Sequence, residues 1–114
     1  MNRFEKEVTA RGMTVFARVD HAAAAAAVGL ALRPTELLIF GAARGGTPLM
    51  QLSQTAGIDL PLKALVWSDA SAATWLAYND PGWLAERHGV RAEGGATVEA
   101  MRGMLAEMAQ AAAA

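Results

Sequence analysis

The chain has 114 residues, with 10 Lys and Arg against 11 Asp and Glu for a formal net charge of −1, and 54% hydrophobic residues against 18% charged. That length fits one small domain with a core of its own, and the near-neutral balance, its basic residues scattered from Arg11 to Arg102, argues against a nucleic-acid-binding protein. Cysteine is absent, which excludes a disulfide framework, a thiol nucleophile and a cysteine metal site.

The opening residues, MNRFEKEV, are charged and lack an apolar core, so no secretory signal is read there. No apolar run approaches the roughly 20 residues that span a bilayer, and a cytoplasmic protein is expected. Residues 13–19 alternate, with Met13, Val15, Ala17 and Val19 on one face and Thr14, Phe16 and Arg18 on the other, which predicts a half-buried strand. Asp20 then precedes His21 and the alanines from Ala22 to Ala27, an N-cap ahead of a helix that Gly29 stops. After Pro34, the almost uniformly apolar segment from Glu36 to Phe40 reads as a central strand covered on both faces.

The stretch GAARGGTP, from Gly41 to Pro48, follows that strand. Thr47 and Pro48 read as N-cap and first residue of a helix that runs through Leu49, Met50 and Leu52 toward Gly57. Lys63 to Trp67 and Thr74 to Tyr78 are two strands whose short connection predicts an antiparallel hairpin. Asn79-Asp80-Pro81 starts a short helix through Arg87. Beyond the Gly94-Gly95 hinge, Thr97 caps a last helix with Val98, Met101, Leu105 and Met108 on one stripe. The expected fold is α+β, a two-layer sandwich in the order β-α-β-α-β-β-α-α. It fills residues 1–114 as one domain, with a frayed tail from about residue 111.

The glycine-rich stretch is the leading candidate site. Glycines let backbone N–H groups face a ligand, helix N-termini favour anions, and Arg44 adds a charge-assisted contact. Arg44, Gly45, Gly46 and Thr47 are the expected ligand-binding residues. The pattern has neither the lysine of a P-loop nor the spacing of a dinucleotide fingerprint, so a plain strand-to-helix turn competes with that reading. Asp20 and His21 are weaker candidates for general acid/base chemistry, since histidine titrates near neutral pH. His88, at a helix C-terminus, fits dipole compensation. The two histidines lack metal-ligand spacing, no metal is expected, and no cofactor is indicated. Trp67, Trp75, Tyr78 and Trp83 line a pocket with Lys63 at its rim or, more simply, form the heavy part of the core. Met101, Met104 and Met108 read as core or dimer interface.

Taken together, TVFARVDHAAAA, ALRPTELLIFG, GTPLMQ, GIDLPLKALVW and YNDPGWLAERHG resemble the domain of unknown function 302 family of bacteria and archaea. The resemblance covers about two thirds of the chain. It implies a compact α+β domain that tends to form homodimers, and no established activity. Between Gly41 and Gly45 the family commonly carries asparagine and proline before a basic residue, whereas Ala42 and Ala43 precede Arg44 here. The leading expectation is a small homodimeric domain that binds a small, anionic ligand at residues 41–48. The alternatives are a structural or partner-binding dimer, for which the apolar composition is the motive, and an enzyme using Asp20 and His21.

Overall fold

The computed structural model describes residues 1–113. A four-stranded antiparallel sheet in the order β1-β2-β3-β4 packs one face against helices of the core: β1 is Thr14–Asp20, β2 Thr35–Gly41, β3 Leu62–Ser68 and β4 Thr74–Tyr78. The helices are α1 (Asn2–Ala10), α2 (His21–Ala27), α3 (Ala43–Leu52), α4 (Pro81–Arg87) and α5 (Gly95–Ala113), with a 3-10 turn at Gln54–Ile58. The architecture is the expected α+β two-layer sandwich, preceded by a helix the strand-first order left out. Phe4 and Val8 sit one helical turn apart on α1, and both are buried. Phe4 meets Phe40 edge-on, with ring centroids 5.3 Å apart.

Residues directly opposite in an antiparallel pair project to the same side. Leu38, Phe40, Leu62 and Ala64 thus share the helix-covered face and are buried. Val15 packs there too, opposite Phe40. A bulge at Phe16 then shifts the register, so Ala17 and Val19 fall on the other face, opposite Ile39 and Leu37. Arg18 is left on the helix side, where it reaches Glu36 at 2.9 Å and Asn2 at 2.8 Å. The simple alternation read from residues 13–19 breaks at that extra residue.

The second face corrects a further expectation. β2 is central, yet it is covered on one side only. Ala17, Val19, Leu37, Ile39, Lys63, Leu65, Trp67, Trp75 and Ala77 share the outer face, and none of them is buried. The tryptophans are accordingly not the core. Trp67 and Trp75 are cross-strand partners on that outer face, and Trp83 is exposed beneath Arg87, whose guanidinium stands 5.6 Å from its ring centroid.

Two helix starts differ from the sequence reading. The start of α3 is wound by Gly45 and Gly46, whose N–H groups both bond the carbonyl of Ala42, so the helix begins ahead of Thr47 and contains Pro48. Likewise α5 starts at Gly95, where Val98 N–H bonds the carbonyl of Gly94, and not at Thr97. Its stripe of Val98, Met101, Leu105 and Met108 is buried as the spacing requires. The helix is regular to Ala113, with Ala112 packed against the core; Ala114 lies outside the described residues.

Candidate functional site

The end of β2 and the first turns of α3 form one wall of a cleft of about 750 Å³. The opposite wall comes from α5, through Thr97, Met101 and Met104. Met13 and Phe16 at the start of β1 and the turn Leu60-Pro61-Leu62 complete it. Arg44, Gly45, Gly46 and Thr47 all line this cleft, so the glycine-rich stretch that stands out in the sequence faces it directly.

Its wall is made largely of apolar side chains and small residues. A Cβ added at Gly45 would meet Met101 Cε at 3.5 Å, and one at Gly46 would meet Leu60 Cδ1 at 3.6 Å. A methyl at either position would touch these lining side chains, and anything larger than alanine would displace them or take up room in the cleft. Of the charged residues, Arg11 and Arg44 line the cleft and no aspartate or glutamate does. Arg11 is held by Glu107 at 3.0 Å. Arg44 has no ion pair or side-chain hydrogen bond among the described residues. Ala42, in extended conformation, is the N-cap of α3 and offers its first N–H groups no side-chain acceptor. The result is an apolar hollow with positive charge at its edge.

Asp20 and His21 lie elsewhere. Thr14 pairs with Gly41 at the cleft end of the sheet, whereas Asp20 pairs with Glu36 at the far end, roughly 20 Å of strand away. Asp20 accepts the Ala23 N–H at 2.9 Å and so caps α2, while His21 is exposed and does not line this cleft. The expected pair for proton transfer is a helix cap with an exposed neighbour.

The other histidine is the engaged one. His88 Nε2 contacts Asp59 Oδ2 at 2.5 Å, and its Nδ1 lies 3.0 Å from Thr55 Oγ1, which in turn is 2.9 Å from Ser53 Oγ. Arg87 donates to both Asp59 oxygens, at 3.0 and 2.9 Å. The hydrogen bond from His88, followed by the Arg87 charge, holds the Asp59 carboxyl below its ordinary range, against the opposing effect of burial. With Asp59 accepting from Nε2, a neutral His88 ring has Nδ1 free to accept from Thr55. None of these residues lines the cleft. They tie the 3-10 turn to the end of α4 and fix the chain immediately before Leu60 and Pro61, which do line it. Sequence reading assigned His88 a dipole role from its place at a helix C-terminus; its partners, 29 and 33 positions away, left no local signal.

The model of the family described as Domain of unknown function DUF302 matches residues 1–108. A crystal structure of an uncharacterized conserved DUF302 protein from Bacillus stearothermophilus superposes with a TM-score of 0.86 at 17% identity, covering 97% of this chain and 86% of that one. Among curated proteins, the Fluoride-specific ion channel FluC 1 of Brucella suis biovar 1 is 48% identical over 101 residues, which is 89% of this chain and 40% of that protein. The protein of the same name from Brucella abortus biovar 1 is also 48% identical, with 37% of its length covered. The chain thus spans well under half the length of these relatives, and among the described residues no helix is long and apolar enough to cross a membrane. The extent of the family match, together with the shared fold, shows that the chain belongs to the DUF302 family.

Proposed function

We propose that this chain is a cytoplasmic, single-domain, homodimeric ligand-binding protein whose site is the cleft at the start of α3. The observation that carries this reading is the convergence of Arg44, Gly45, Gly46 and Thr47 on a hollow of about 750 Å³, a size within the usual range for small-molecule sites, roughly 300–1,000 Å³. A reaction is not part of the proposal, because the one histidine-carboxylate pair in contact is engaged in holding a turn. The name of the Brucella relatives places fluoride among the anions to test.

The test is a thermal-shift panel of anions including fluoride, nucleotides, metabolites and apolar small molecules, run on wild type and Gly46→Leu. A ligand present at about 100 times its dissociation constant stabilises the fold by roughly 2.7 kcal/mol. For a domain of this size that moves the midpoint by several degrees. The expected result is a shift that Gly46→Leu, folded but with its floor filled, reduces or abolishes. A panel in which nothing shifts the wild type overturns the reading.

A second reading rests on the outer face of the sheet, whose large apolar residues no helix buries. It supports a dimer through that face, and it is compatible with the first.

A further inference from the structure

We propose that the cleft binds a single-chain anionic amphiphile, an alkyl carboxylate or alkyl phosphate, with the chain inside and the head group on Arg44. This rests on the reading of the cleft as a ligand site and names the chemistry of its occupant.

Three observations converge. The first is the lining: Met13, Met50, Met101 and Met104 supply four of its side chains. Methionine is unbranched, flexible and polarizable, and it moulds itself to irregular apolar partners. Such a wall suits a flexible alkyl chain better than a rigid, directionally hydrogen-bonded ligand. The second is the charge. The cleft carries two arginines and no acid, Arg11 is engaged by Glu107, and Arg44 is left with its guanidinium fork available for an oxyanion. The third is shape: Gly45 and Gly46 add no side chain of their own beside Arg44, and Met101, Leu60 and Met50 stand within 4 Å of their Cβ positions, so the apolar, methionine-lined wall begins directly next to the guanidinium. An inorganic anion leaves the apolar wall unused, and a neutral lipid leaves Arg44 unused. An amphiphile uses both.

The experiment is calorimetric titration of wild type, Arg44→Gln and Gly46→Leu at low salt. The probes are decanoate, decyl phosphate, decanol, acetate, inorganic phosphate and fluoride, with the amphiphiles kept below their micellar concentrations. Decanoate or decyl phosphate, whichever head the cleft prefers, is expected to bind wild type about tenfold or more tighter than decanol, the fold-change of one charge-assisted hydrogen bond. Arg44→Gln should erase that difference and leave decanol binding unchanged, and Gly46→Leu should weaken all three chain-bearing probes. Acetate, phosphate and fluoride should bind far more weakly than the amphiphiles. Equal affinity for decanol and both charged amphiphiles in wild type overturns the role of Arg44. Phosphate or fluoride binding as tightly as the amphiphiles overturns the alkyl chain while leaving the cleft a ligand site. Failure of every probe here, alongside a positive thermal-shift panel, overturns the amphiphile alone; failure in both removes the site altogether.

Discussion

Asp59 accepts hydrogen bonds from His88 and from Arg87, and its side chain is only 12% exposed. Its folded-state pKa is lowered, so the stability it contributes is complete above the unfolded carboxylate value of about 3.9 and is lost as pH falls through the folded one. Asp59→Asn is therefore expected to cost about 1–3 kcal/mol near neutral pH, the range for hydrogen bonds to a charged group. The cost should shrink toward zero below the folded pKa, where the wild-type carboxyl is itself protonated. Urea denaturation at a series of pH values checks this; a deficit that stays constant into strong acid would show that packing, and not the charge, carries the effect. At this scale the sequence was legible where a residue acts on near neighbours. Asp80 accepts the Gly82 N–H at 2.7 Å, as its place ahead of Pro81 indicates. Asp59 and His88 were not legible, because their pairing depends on the tertiary approach of the 3-10 turn to α4.

The same distinction holds for whole elements. The stripe on α5 and the β3–β4 hairpin follow from periodicity and loop length. The bulge at Phe16 does not, since one extra residue in β1 inverts every later side chain without leaving a mark on composition. The start of α3 was misplaced because Thr47-Pro48 carries a strong capping signature and Ala42-Ala43 carries none. Yet Ala42, at φ −131° and ψ 136°, has the extended backbone of an N-cap and lacks only the side-chain acceptor. Ala42→Asn is accordingly expected to stabilise the protein by about 0.5–2 kcal/mol, the usual worth of a restored cap. Thermal and denaturant unfolding of the variant check this, and an unchanged midpoint would mean that these N–H groups are already satisfied. Because the cap sits at the mouth of the cleft, the variant also reports whether ordering this turn alters ligand affinity.

At the scale of the molecule, α1, α3, α4 and α5 build the core on one side of the sheet, and the other side presents Val19, Leu37, Ile39, Leu65, Trp67 and Trp75. Lys63 is the one charged side chain among the paired residues of that face, and its Nζ turns back toward the Pro61 carbonyl at 3.4 Å, at the cleft end of β3. An apolar, nearly uncharged surface suits a partner of the same character, and such a surface is present at equal concentration on every other copy of the chain. Sheets pack face to face at about 10 Å with their side chains interdigitated, and the proposed homodimer joins two such faces in that way. Hydropathy alone suggested an interface without a location, since β2 reads as a strand buried on both sides, and only the proposed dimer would cover its second face. Leu37→Lys places a charge in the middle of this face while leaving the helix-covered core intact. It should convert a dimer to a folded monomer, read by light scattering coupled to size exclusion at micromolar concentration, with circular dichroism confirming the fold. A wild type that is already monomeric there, or a variant that remains dimeric, would exclude this face as the interface. The cleft lies on the helix side and at the opposite end of the sheet from Trp67 and Trp75, so ligand affinity in the variant should remain within a few-fold of wild type.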